Sequence, residues 1–256
     1  MNTRTTKSRL EHGFTIVEIA VSLVILGLLL AGLLGPLGIR VEQAQRQKTM
    51  ELLEVVKEAL LGFAAIHGYL PCPTTENDPN SPNYGLAATP PCPAASLTED
   101  AVLPWATLGV PPTDAWGRPR TQASDLWSGY WRYRVDSNFA DPGPPKITLC
   151  TPFSTADALG NALDVVDPQG HLLTASGPPA PSLCPPPPPP AGEHPVAIIY
   201  SAAKDADLDG NDADGENDTY NSRYTAGDYS AGFDDIVIWI GRPLLFNRMI
   251  ASGQLP

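Results

Sequence analysis

The densest chemistry in the chain lies in Lys204-Asp205-Ala206-Asp207-Leu208-Asp209-Gly210-Asn211-Asp212-Ala213-Asp214-Gly215-Glu216-Asn217-Asp218. Its acids fit the spacing D-x-D-x-D-G-x5-E, which places oxygen donors around a hard divalent cation. Calcium takes about six to eight such ligands. Asp205, Asp207 and Asp209 offer side chains, Asn211 a main-chain carbonyl, and Glu216 a bidentate carboxylate. Gly210 suits the sharp turn, and Ala213 leaves room for a water. Asp212 stands where such loops carry an apolar residue, and the preceding PVAIIYSAA reads as a strand rather than a helix. The expectation is therefore a structural Ca2+ loop between strands, with Asp228, Asp234 and Asp235 as further carboxylates. Without a cation these acids repel one another.

A second chemical feature is a single carboxylate, Glu18, inside an apolar segment. Residues 1–13 carry Arg4, Lys7 and Arg9; Phe14 to Ile39 is then almost wholly apolar, with no charge from Ile19 to Ile39. About 20 apolar residues in a helix cross the hydrocarbon layer. The basic flank keeps the amino end on the cytoplasmic side. The run exceeds the apolar core of an ordinary secretory signal. A carboxylate there costs about 2–3 kcal/mol on insertion scales, so it needs a partner.

Gly13-Phe14-Thr15-Ile16-Val17-Glu18 followed by this run resembles the amino-terminal signature of type IV pilins and type II secretion pseudopilins. Gly27 matches a family glycine, and Pro36 matches the family proline with a one-residue offset. The resemblance implies cleavage between Gly13 and Phe14 by a prepilin peptidase, with methylation of the new amine. It implies that Glu18 pairs with that amine on a neighbouring subunit, which offsets part of the desolvation of both charges. The implied partners are the peptidase, other pilin or pseudopilin subunits and an inner-membrane assembly platform. The implied location is a single inner-membrane pass with a periplasmic globular domain, and then the pilus or pseudopilus. Asp114-Ala115-Trp116-Gly117 ahead of Trp131–Val135, and Asp235-Ile236-Val237-Ile238-Trp239, are similar to the major pseudopilin pattern. So is a calcium site before the last strand.

The elements that position these groups follow from pattern. Val41, Ala44, Leu52, Val55, Ala59, Phe63 and Ile66 fall at helical steps, and Gly68 and Pro71 close the helix. Expected strands are 130–136, 146–150, 171–176, 195–201 and 235–241, and Pro243 opens a terminal helix over 244–252. The expected fold is α+β: a long N-terminal helix packed on a small antiparallel β-sheet domain. Its parts are a leader (1–13), a transmembrane or filament-core helix (14–39), an amphipathic half-helix (40–70) and a β-rich domain (71–256). That domain carries a proline-rich loop at 177–195 and an acidic loop at 204–235.

Cys72, Cys92, Cys150 and Cys184 form no C-x-x-C pair, so a zinc site is not expected. An oxidising compartment favours disulfides. Of three pairings, the nearest-neighbour one, Cys72–Cys92 with Cys150–Cys184, is preferred. The 256 residues carry a net charge of −12, which speaks against nucleic-acid partners. His12, His67, His171 and His194 belong to no recognisable catalytic motif, no phosphate loop occurs, and no enzyme is expected. The expected role is a structural filament subunit, a secretion pseudopilin rather than a pilus subunit, of a minor or specialised kind. The alternatives are a membrane-tethered calcium-dependent binding module that does not polymerise and, behind it, a tethered hydrolase.

Overall fold

A computed structural model of the chain describes residues 15–97, 101–125, 127–141, 143, 147–151, 163–174, 194–204, 223–228 and 233–255, without the side chains of 30–37, 95 and 223. It divides into two compact units, Met1–Ala44 and Gln45–Pro256.

The described part of the first unit is helical. Helix α1 (Ile16–His67) starts after Thr15, whose Oγ1 accepts from Glu18 N at 3.2 Å, satisfying one of the orphan donors at a helix start. Its apolar residues are exposed on every side, among them Ile16 (87 %), Val17, Leu23, Val24 and Leu28. An all-round apolar helix is one that something else must cover. Among the described residues no helix is long and apolar enough to cross a membrane; the side chains of 30–37, part of the apolar run, fall outside that description.

In the second unit the carboxyl-terminal part of α1 buries one stripe, Thr49, Leu53, Val56, Leu60, Leu61 and Ala64. The three- and four-residue spacing is that of one helix face. The helix closes at Gly68 (φ 83°), whose N–H donates to Ala64 O. His67 caps the same end, with Nδ1 3.0 Å from Phe63 O.

A three-stranded sheet packs against that stripe in the order β1 (Arg132–Val135), β3 (Pro195–Ser201), β5 (Ile236–Gly241), antiparallel throughout. Register puts Tyr133 opposite Ile199 and Ile199 opposite Ile238, on the face that shares a core with Leu53, Val56 and Leu60. Arg134, Ile198 and Trp239 align on the other face. There Ile198 and Tyr200 pack with Leu163, Val165 and Tyr224. Val165 and Tyr224 come from a two-stranded parallel sheet, β2 (Asp164–Val166) with β4 (Arg223–Thr225), and Leu163 immediately precedes β2. Every residue of β3 is therefore buried. Helix α3 (Arg242–Ala251), with Pro243 in its first turn, seats Leu245, Phe246 and Met249 in the main core. Helix α2 (Trp105–Leu108) is one turn ending at Gly109. The fold is α+β, a long amino-terminal helix with a small antiparallel sheet.

Several expected elements differ. No strand forms at 147–150; Thr148 and Thr151 close a local turn through Thr151 N→Thr148 O and Thr148 N→Thr151 Oγ1, using the backbone groups a ladder would need. Around 171–174 there is a single bridge, Leu172 to Val166. β4 lies inside the stretch read as one acidic loop, 204–235.

Cys72 is joined to Cys92, closing a 20-residue separation worth about 3 kcal/mol in the loop-entropy account. Cys150 is also disulfide-bonded; Cys184 lies outside the described residues. The segment after α1 is held by Leu70 N→Phe139 O and by Tyr133 Oη→Pro71 O.

Adjacent positions on α1 give a test of this burial pattern. Val56 is fully buried and Val55 is 52 % exposed. Val56→Ala should lose about 2 kcal/mol of unfolding free energy, and Val55→Ala should stay within about 0.5 kcal/mol of the parent, both read by denaturant titration.

Candidate functional site

Two regions carry the expected functional residues. In the first, Gly13 and Phe14 lie outside the described residues. Glu18 is exposed in the first turn of α1, where the helix dipole favours a carboxylate. Its main chain is fixed by Thr15 Oγ1 and by Ser22 Oγ, which donates to Glu18 O at 2.7 Å. The pattern Thr15-x-x-Glu18 is that of a helix start, visible in the residue types alone.

In the second, Asp205, Asp207, Asp209, Asn211 and Glu216 lie outside the described residues, but both ends of the acidic segment are built. β3 ends at Ser201. Ala203 takes the left-handed conformation (φ 43°) and its N–H donates to Ser201 Oγ at 3.1 Å. Lys204 N then donates to Asp234 Oδ2 at 3.2 Å, tying the segment's start to the residues before β5. Arg46 Nη1 of α1 donates to Asp234 O at 2.7 Å. One turn further along α1, buried Thr49 Oγ1 accepts from Ala115 N at 3.2 Å, and Gln45 Nε2 donates to Ala115 O at 3.4 Å. Asp234 and Asp235, read as further ligands, are buried at this base, while Asp228 is exposed. Among the described residues no group of three or more His, Cys, Asp or Glu is placed to hold a metal.

The centre of this base is Asp114. Its Oδ1 accepts from Trp116 N (2.8 Å) and Gly117 N (2.7 Å), and its Oδ2 accepts from Ser201 Oγ (2.5 Å). The Asp-x-Trp-Gly stretch is thus a turn whose first side chain replaces main-chain acceptors. Gly129 (φ 69°) makes the approach feasible, since a Cβ there would meet Gly117 Cα at 2.1 Å. Burial pushes the Asp114 carboxyl above its ordinary value, against the three donors.

The remaining polar clusters tie the fold together. Arg120 is buried with its guanidinium 4.0 Å over Trp127, Nη1 donating to Asn77 O and Nε to Asp125 O. Tyr84, Trp105 and Tyr130 complete that aromatic group, Trp105 lying edge-on to both tyrosines, and burial raises the Tyr84 phenol. His194 Nδ1 lies 2.7 Å from Asp164 Oδ1, and His171 Nδ1 2.9 Å from Asp167 Oδ2; the two pairs flank β2.

Comparison with known proteins places the amino-terminal region. Residues 8–34 match the family model of the prokaryotic N-terminal methylation motif, which spans the Gly13–Phe14 bond and Glu18. This motif is consistent with the type IV pilin and pseudopilin signature, a class that is structural rather than enzymatic. No curated protein and no solved structure matches the chain.

A raised carboxyl pKa in the folded state means that the folded form holds the proton more tightly than the unfolded one. Asp114 therefore subtracts stability as pH rises from its unfolded value, about 3.9, through its folded value. Asp114→Asn keeps the Oδ1 acceptor and removes the charge. It should become progressively more stable relative to the parent as pH increases from about 4 to 7 in thermal melts. Asp114→Ala strands three donors and should lose about 1–3 kcal/mol across that range.

Proposed function

We propose that this chain is a structural subunit, of a minor kind, of a type II secretion pseudopilus or a related type IV-pilus-like filament. The observation that carries the reading is the methylation motif over residues 8–34 together with the all-round apolar exposure of α1 from Ile16 to Leu29. A prepilin peptidase cuts after Gly13 and leaves a charged amine on Phe14. The apolar half-helix anchors the precursor in the inner membrane, and then, drawn into the filament by the assembly platform, it is covered by other subunits. Glu18 answers the Phe14 amine of a neighbour, a pairing that two charges in an apolar bundle require. Head-to-tail repetition of one such contact generates a filament when the rotation does not close. The sheet domain faces the periplasm.

In this reading the acidic segment holds one structural calcium through Asp205, Asp207, Asp209, Asn211 and Glu216. The donor set, all oxygen and mostly anionic, suits calcium rather than a soft metal. What the described residues add is a pair of fixed ends for that segment, Lys204 and β4.

The first test is the amino-terminal mass of the protein taken from its own host's membranes. A chain starting at methylated Phe14 is expected. A chain starting at Met1, or cut near Ala31, would overturn the filament reading in favour of an anchored or secreted binding module. Glu18→Ala should be cleaved normally and fail to enter filaments; incorporation at the parental level would remove Glu18 from assembly. Calcium chelation should lower the melting temperature of the purified protein by several degrees, and an unchanged melt would remove the calcium site.

A further inference from the structure

The two edges of the main sheet are treated differently. Beyond β1, Val102 bridges to Arg132 on one side and to Thr74 on the other, so that edge is closed. Tyr133 N donates to Ala101 O on the closed side, and Asp136 N donates to Val196 O on the β3 side. Bonding alternates along an antiparallel ladder. Val196, Ile198 and Tyr200 are therefore the residues of β3 that bond towards β1, and Ala197, Ile199 and Ser201 bond towards Ile240, Ile238 and Ile236 of β5. This leaves the main-chain groups of Val237 and Trp239 directed away from the sheet. Among the described residues no main-chain bond reaches them from that side. Edge strands are ordinarily blunted by Lys, Pro or a covering loop. β5 runs Ile-Val-Ile-Trp-Ile with no charge, and Val237, Ile238 and Trp239 are partly exposed.

We infer that the open edge of β5 pairs with β5 of a second copy, antiparallel and centred on Ile238. The inference stands apart from the filament reading, because a two-fold contact closes at two copies where a head-to-tail contact repeats. In an antiparallel pair, outward-bonding residues must meet outward-bonding residues. Val237 and Trp239 therefore face each other or their own copies. Centring on Ile238 sets Val237 against Trp239 of the second copy twice, an aromatic and β-branched pair on each side of the axis. The charges at the strand ends select this register. Asp234-Asp235 precede β5 and Arg242 follows it. Centred on Ile238, the two acids of one copy come level with Arg242 and Gly241 of the other, at both ends of the pair. Centring on Val237 would set Asp235 against Trp239, and centring on Trp239 would set Arg242 against Ile236 and Asp235 against Pro243. An unrelated extended segment has no such match at both ends.

The test is a cysteine cross-link in the full chain, expressed in its host's membranes. All described cysteines are already in disulfides, so an added thiol is distinguishable from them. Residues in a close antiparallel pair have Cα atoms about 4.5 Å apart, within disulfide reach. Ile238→Cys should give a disulfide-linked dimer on mild oxidation with copper–phenanthroline in air, lost on reduction. Val237→Cys lies on the order of 9 Å from its own copy in this register, beyond that reach, and should give at least tenfold less dimer. Melting temperatures in detergent establish that each variant is folded. A folded Ile238→Cys protein that yields no dimer overturns the inference, and so does equal cross-linking at 237 and 238, which is the mark of random collision. Adding Val237→Pro to Ile238→Cys removes an outward N–H that makes no bond within the subunit. It should reduce the dimer at least tenfold; an unchanged dimer overturns the pairing. Where the proline variant melts below the parent, the two cysteine variants, which leave the main chain untouched, decide the question.

Discussion

Strand β3 has no solvent side, and much of the globular unit follows from covering it. With seven consecutive buried residues it needs a layer on each face. One layer is the α1 stripe with Leu245 and Met249 of α3; the other is the small β2–β4 sheet with Leu163, Val165 and Tyr224. The strand ends in a polar residue that is also fully buried, Ser201. A buried hydroxyl needs a partner, and Asp114 provides it. Asp114 in turn is taken out of water and must be held by Trp116 N and Gly117 N, which requires the close approach of Gly117 and Gly129. A strand buried on both faces thus propagates into a turn more than eighty residues earlier in the chain.

The amino-terminal half of α1 poses the reverse problem. Its described side chains are mostly apolar and uncovered, and its one described carboxylate sits where a helix tolerates a negative charge best, in the first turn beneath a threonine cap. The same turn carries the match to the methylation motif.

Much of this architecture was legible in the sequence. α1, β3, β5 and the proline-opened α3 announce themselves through long periodic runs and turn residues at their ends. The stripe read from the α1 pattern, however, is the wrong face: Val41, Val55 and Ile66 are exposed, and Leu53, Val56, Leu60 and Ala64 are buried instead, because several faces of that helix carry apolar residues and only the partner sheet selects one. β2 and β4 do not. Three residues such as Asp164–Val166 carry no period, and their parallel pairing joins positions far apart in the chain. The stretch 146–150 looked like a strand by composition, but Thr148 and Thr151 satisfy the backbone locally. At the site, Glu18 stood out as a charge among apolar neighbours, and the acidic run by its spacing. The roles of Ser201, Thr49 and Arg46 were invisible, because each is defined by a partner on another element.

The order of strands in the main sheet also bears on how the unit forms. β3 lies between β1 and β5, and neither neighbour is joined to it by a short turn. Long loops must close before any ladder of that sheet exists, and sheets of such non-local topology fold slowly. Until β3 arrives, β1 and β5 present open edges of Tyr133, Ile236 and Ile240 to whatever is nearby. The Cys72–Cys92 link spans a much shorter stretch and ties the end of α1 to its own following loop. A chain that can close that local loop first, while the far segments are still being delivered, carries a folded foothold through the period when its sheet edges are most prone to pair wrongly.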